Sequence, residues 1–214
     1  MEIDNVNTGP PNLGVSYLFE KSWQVFKDNL GLVIGVAIVF GLLSNIGTST
    51  IYEESDTRFS VQLANLLIGG PLTAGTFYLA VKLIRGETAK FAEMFYGFKV
   101  FLKAFLAFLL YSVLVAVGFI MLIIPGIILA VGLSPTMYLV MDADLGATDT
   151  LRRAWEMTRG HRGSIFILAL VIIALNVAGV LLFLIGIIFT GAFSLLVGAA
   201  AYNELAQATG NLGE

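Results

Sequence analysis

The densest set of chemically capable side chains in the sequence is Arg152, Arg153, Arg159, His161 and Arg162. Guanidinium groups present planar forks of donors that match phosphate and carboxylate oxygens. Such a cluster can bind an anionic lipid headgroup, a free phosphate or an acidic partner surface. It is also what a charge-sorted membrane protein places on its cytoplasmic side, where Lys and Arg accumulate. His161 is the sole histidine and there is no cysteine. A multi-histidine metal site and thiolate chemistry are therefore excluded. No phosphate-cradling glycine loop, nucleophile motif or pair of intramembrane carboxylates is present. The expectation is a non-enzymatic chain with no catalytic residue, metal or cofactor, and no nucleic-acid partner.

Composition says what must position this cluster. Of 214 residues, 57% are hydrophobic and only 13% charged, and the mean hydropathy is +0.88. Soluble domains carry about 25% charged residues. This chain cannot cover a globule with polar side chains, so hydrocarbon must surround most of it. The start is acidic and polar (Glu2, Asp4, Pro10, Pro11) and lacks the basic-then-apolar pattern of a secretory signal.

A spanning helix needs about 20 mostly apolar residues. The first candidate runs from Leu30 to about Ile46, and the second from Val61 to Ile84 with a kink expected at Gly69-Gly70-Pro71. The third apolar stretch, Val100 to Met141, would reach about 63 Å as one helix, twice the ~30 Å hydrocarbon core. Pro125-Gly126 predicts a tight hairpin within it, one helix ending near Ile124 and the next running from Gly126 to Met141. Proline removes a donor and glycine permits positive φ. Ser134-Pro135 predicts a kink in the second of these helices. The same length argument splits Ser164–Tyr202, with Gly186 as the expected turn. The fold expected is all-α: six transmembrane helices as three hairpins.

Charge orients the set. With the N-terminus inside, Lys21, Lys27, Lys82, Arg85, Lys90, Lys99, Lys103, Arg152, Arg153, Arg159 and Arg162 fall on the cytoplasmic side. Only Arg58 falls opposite, beside Glu53, Glu54 and Asp56. Both termini are then cytoplasmic, in the cytoplasmic (inner) membrane of a prokaryote.

Each hairpin is preceded by an amphipathic stretch. Phe19, Trp23, Phe26 and Leu30 line one face of the first. Phe91, Phe95, Phe98, Leu102 and Phe105 line the second, with Lys90, Glu93, Lys99 and Lys103 turned away. Leu151, Ala154, Trp155 and Thr158 line the third, opposite Arg152, Arg153, Glu156 and Arg159. Gly160 is placed to stop the last. Such helices can lie in the interface with aromatics in lipid and cations toward headgroups, which makes Trp23 and Trp155 candidate lipid or partner contacts. Two readings stay open. The chain contains three copies of one unit (15–86, 87–145, 146–207) between a disordered tail at 1–14 and a short tail at 208–214. Or any cytoplasmic lead-in looks aromatic and basic.

No ionisable residue lies near a span centre, and Lys82 can snorkel to the interface. The deepest polar residue is Asn176, expected to hydrogen-bond to a neighbouring helix. Small residues at four-residue spacing (Gly31 and Gly35; Gly126, Ala130 and Ser134) allow close helix approach.

Gly70-Pro71…Gly75, Arg85-Gly86-Glu87, Ile124-Pro125-Gly126-Ile127 and Ala154-Trp155…Thr158-Arg159-Gly160-His161 together resemble an uncharacterised prokaryotic polytopic membrane family. That family is allied to the membrane domain of glycerophosphoryl diester phosphodiesterases. The resemblance runs from about Ser16 to Ala206 and implies a six-helix membrane domain. It carries over no catalytic residue, because the soluble catalytic domain of those enzymes has no counterpart here. The expected function is a membrane module that organises lipid, through anionic headgroups, or protein at the cytoplasmic face. Its protein partners would be a second copy or another membrane protein. The alternative is a small transporter or passive channel for an uncharged solute.

Overall fold

The computed structural model describes residues 10–44, 55–143, 145–181 and 183–210; the side chains of 44, 55–66 and 183–185 lie outside that description. The described residues are helical throughout, without a strand. In order they form α1 (Val15–Asp28), α2 (Leu30–Ser44), α3 (Ser55–Ile84), a 3-10 segment (Phe91–Val100), α4 (Phe101–Met121) and α5 (Ile123–Gly132). Then follow α6 (Thr136–Asp142), α7 (Ala147–Met157), α8 (Arg162–Leu181) and α9 (Phe183–Ala208).

Five stretches are long and apolar enough to cross a membrane: Leu67–Ile84, Phe91–Met121, Ile123–Asp142, Arg162–Leu181 and Gly186–Ala208. The chain is thus an all-α, multi-pass membrane protein. The expected first span, Leu30 to about Ile46, runs beyond the described residues: α2 is described over 15 residues to Ser44, and it meets α1 at 95°. The pair makes a sixth span only if the bent unit counts as one. Asn29 satisfies the corner, its side-chain amide and its backbone N–H both donating to the Val25 carbonyl, at 3.0 and 3.1 Å.

The helix breaks fall elsewhere than proline and glycine suggested. Pro71 lies inside α3, which continues through Gly70 and Pro71 as one helix. The glycines there serve packing, since a Cβ on Gly70 would press on Phe108 and the Ala104 carbonyl. The α4–α5 hairpin turns at Leu122 alone, with φ −168° and ψ 153°, and α5 already starts at Ile123. Pro125 sits in the first turn of α5, where a missing N–H costs no helical bond. Gly126 is not the turn either; it lies against Phe119 and Gly118 of α4. Pro135 does mark a break, between α5 and α6. In the last hairpin α8 ends at Leu181 and α9 starts at Phe183, so Gly186 falls inside α9. Its carbonyl faces Gly179, which also lies against Thr190. Small residues here are spent on helix contact.

Among the described residues, Gly31 meets nothing within 4 Å of a Cβ placed on it and Gly35 meets only the Phe91 ring, at 3.9 Å. The tightest crossing is between α3 and the 3-10 segment. A Cβ on Gly75 would overlap the Met94 carbonyl, and one on Gly97 would overlap the Pro71 carbonyl. Helix α3 and α9 form the buried centre, through Leu72, Leu79, Leu196, Val197 and Tyr202. Helices α4 and α8 present most of their surface outward. Residues 10–14, assigned to the tail on sequence, run along the body, with Leu13 buried. Residues 1–9, 45–54 and 211–214 fall outside the described part, so Glu53 and Glu54 do too, and the side chains of Asp56 and Arg58 are not described.

Replacing Gly97 by alanine forces carbonyl against methyl and should cost about 1–3 kcal/mol. Gly163→Ala, where a Cβ meets nothing within 4 Å, is the matched control. Thermal unfolding in mild detergent should show a clear fall for the first and none for the second.

Candidate functional site

Several charges of the described residues gather at one end of the spans. Asp142, the last residue of α6, receives both Nη atoms of Arg85 at 2.6 and 2.7 Å. The Tyr202 hydroxyl of α9 donates to the same carboxylate at 2.6 Å, and Arg85 Nε donates to Asn203 Oδ1 at 3.1 Å. Three helix ends are thereby clasped by one bidentate pair. Burial lowers the Arg85 proton affinity, but the hydrogen bonds and charge of Asp142 raise it further, so the net shift is upward. Two more pairs flank the clasp. Lys82 donates to both oxygens of Glu93, at 2.9 and 3.1 Å, and is therefore tied to the 3-10 segment rather than extended toward water. Lys21 and Tyr17 of α1 donate to Glu204 of α9 at 3.0 and 3.1 Å.

Cations also stand over rings all around this end. Arg162 lies 3.5 Å from the Trp155 ring centroid and Lys99 3.6 Å from that of Tyr96. Lys21, Lys27 and Lys82 stand over Tyr17, Trp23 and Tyr78 at 5.7 to 6.0 Å. Aromatic and cationic side chains at one level are the mark of a membrane–water interface.

The three lead-in segments use their faces differently. In α1, Phe26 is buried and Phe19 and Trp23 pack edge-on against Phe193 of α9. The aromatic stripe is thus largely a helix contact, and Trp23 remains half exposed at the wall of an apolar groove of about 620 Å3. In the second, Phe91, Phe95 and Phe98 are exposed while Glu93, Met94 and Gly97 face inward. A 3-10 geometry, three residues per turn, accounts for that rotated face. In α7, Leu151, Ala154 and Thr158 are buried as the spacing predicts. Thr158 donates its hydroxyl to the Gly132 carbonyl at 2.9 Å, and Gly160, at φ +87°, ends the turn.

The arginine cluster is divided in its roles. Arg152 and Arg153 both pair with Glu156, at 3.1 and 3.7 Å, and Arg153 reaches the Thr209 carbonyl at 3.4 Å. Trp155 is held between Gly132 and the Arg162 guanidinium, so its ring is half-buried and internal. Arg159 is exposed, with no acidic partner among the described residues. His161 and Arg159 line a small pocket of about 270 Å3 with Glu156, Pro10 and Pro11. His161 Nδ1 and Arg162 Nε are buried without a hydrogen-bonding partner. They flank the N-terminus of α8, where unpaired backbone N–H groups favour anions.

Deeper, Asn176 of α8 donates to the Ser194 hydroxyl of α9 at 2.7 Å and to the Ile172 carbonyl at 2.8 Å. Two cavities meet beside it. One, of about 680 Å3, lies among α2, α3 and α9; the other, of about 300 Å3, lies among α4, the α5–α6 break, α8 and α9. They share Phe77, Tyr138 and Ser194. Phe77, Tyr138 and Tyr202 stack in a column, with centroids 4.3 and 5.3 Å apart. Neither the clasp nor this column was among the residues expected to matter. The available signal was that Arg85 and Asp142 each close an apolar run, and Tyr202-Asn203-Glu204 closes the last.

Removing Arg85 strands a largely buried carboxylate, so Arg85→Ala should cost on the order of 3 kcal/mol. Arg85→Met with Asp142→Leu should recover most of it. A thermal-melting double-mutant cycle in detergent checks both. No family model, curated protein or solved structure matches the chain in comparison, so the functional reading rests on its own residues.

Proposed function

We propose that the protein is a non-enzymatic membrane module that holds anionic lipid at its cytoplasmic face. The observation that carries this reading is the α7–α8 turn. There the exposed Arg159, and His161, whose Nδ1 has no partner among the described residues, line a small open pocket with Glu156, and Arg162 and the first turn of α8 follow directly in the chain. A phosphate at that turn would meet donors that the fold itself leaves unused. The ring of cation–aromatic pairs supports placing this end at the headgroup level. The excess of Lys and Arg there supports the cytoplasmic side of a prokaryotic inner membrane, with both termini inside. Kinship with the membrane domains of glycerophosphoryl diester phosphodiesterases belongs to the same proposal and adds no residue role.

Passive passage of an uncharged solute is the second reading, favoured by the two adjoining cavities. It ranks below the first because the described walls of the larger cavity are almost wholly apolar and offer a polar solute little to bind.

In nanodiscs of mixed phosphatidylglycerol and phosphatidylcholine, native mass spectrometry should show preferential retention of the anionic lipid. Arg159→Gln should weaken that preference about fivefold, as expected for one cation near a charged surface. The fourfold variant with Arg152, Arg153 and Arg162 also changed to glutamine should abolish it. Equal retention by wild type and both variants would refute the proposal. Orientation has its own check, because the chain has no cysteine. Gly210→Cys should react with an impermeant maleimide only after the cells are opened.

A further inference from the structure

The geometry points to a second, deeper ligand site in the two adjoining cavities that share Phe77, Tyr138 and Ser194: a lateral pocket for a neutral membrane lipid with an uncharged hydroxyl or carbonyl head. The argument begins with what the walls lack. Among the described residues, no charged side chain lines either cavity. An ionised head would lie in low dielectric without a counter-charge, at a cost of several kcal/mol. Phosphate and carboxylate heads are thereby disfavoured, and this site is chemically unlike the basic turn at the interface.

The walls also differ from each other. The larger cavity is almost wholly apolar and includes Ile38 and Leu42 of α2, both exposed on the protein surface. In a bilayer that surface meets acyl chains, so the cavity opens sideways into hydrocarbon. Among the described residues α8 does not pack against α2, so it does not cover this gap. The smaller cavity is ringed by hydroxyls from Tyr111, Ser134, Tyr138, Ser194 and Tyr202. Three of them have hydrogen-bonding capacity unused within the described residues. Ser194 accepts from Asn176 but donates to nothing, and the Tyr111 and Tyr138 hydroxyls meet no partner. Polar groups at this depth are hydrogen-bonded as a rule, because leaving one unmade costs its desolvation. A chain in the large compartment with a small neutral head in the hydroxyl compartment satisfies both walls. Both volumes lie within the ~300–1,000 Å3 typical of small-molecule sites. Tyr138 stands at the junction, and Gly198 leaves room for its hydroxyl. The proposal does not depend on headgroup binding at the α7–α8 turn.

The test uses the full chain in mild detergent and two probes that differ only in the head: oleyl alcohol and oleic acid, at alkaline pH where the acid is ionised. Native mass spectrometry should show oleyl alcohol retained at least tenfold better. Tyr138→Phe keeps the ring stack and removes the hydroxyl; combined with Tyr111→Phe it should lower oleyl alcohol retention about fivefold to tenfold. Gly191→Leu fills the chain compartment from a position where a Cβ meets nothing within 4 Å, and it should abolish retention of the alcohol. These variants should leave the preference for phosphatidylglycerol unchanged, which separates this site from the basic turn. Equal retention of alcohol and acid would overturn the proposal. So would indifference to the double tyrosine variant, or a solute flux in proteoliposomes that Gly191→Leu blocks.

Discussion

A guanidinium and a carboxylate drawn out of water must find each other, and in this protein the meeting place decides how the helices end. Arg85 follows α3, Asp142 closes α6, and Tyr202 and Asn203 lie in the last turns of α9. The bidentate pair and its two neutral partners join the ends of three separate segments, 57 and 60 residues apart along the chain. Its strength comes from geometry, since an ill-matched pair at this depth would not recover its desolvation. With those ends fixed, the 3-10 segment is held from above by Lys82–Glu93 and α1 is held to α9 by Lys21–Glu204. The first two lead-in segments are therefore anchored to spans through charge, whereas α7 is held through the Thr158 hydroxyl on the Gly132 carbonyl.

Below that level, polar attraction gives way to shape. Hydrocarbon offers helices no hydrophobic gain for meeting, so close backbone approach must supply the association. The glycines do this at Gly75 against Met94, Gly97 against Pro71, Gly118 against Gly126, and Gly179 against Thr190. Each contact lies where a methyl group would collide. Where no glycine brings neighbours together, as between α2 and its surroundings, space remains, and the larger cavity occupies it.

The all-helical membrane class was legible because it depends on composition and run length, which survive any error of detail. The lead-in segments were legible from periodicity, and α7 has the face its spacing predicts. Breaks were not. Proline and glycine mark where a helix can be interrupted, but Pro71 is carried inside α3 and Gly186 inside α9, and their carbonyls lie against the partner glycines Gly97 and Gly179. The Leu122 turn has no local signal at all. It follows from α4 and α5 packing so closely at Gly118 and Gly126 that one extended residue suffices. The arginine cluster stood out in sequence, yet two of its members are paired with Glu156 and a third stacks on Trp155. The clasp was invisible for the opposite reason: its members are single residues, far apart in the chain, that only tertiary structure brings together.

The tip of the α4–α5 hairpin bears one more reading. From Ile120 through Ile124 every side chain is apolar and exposed, and no charged residue occurs between Lys103 and Asp142. From Gly163 through Asn203 the chain is likewise free of charge. Each of these hairpins can enter the bilayer from the side that holds its two ends, tip first, without dragging an ionised group through the hydrocarbon. The described tip of the α4–α5 hairpin, Ile120 to Ile124, then meets the lipid tails, while the ends of both hairpins are studded with ions. Hairpins so built take their position in depth from their charged ends alone.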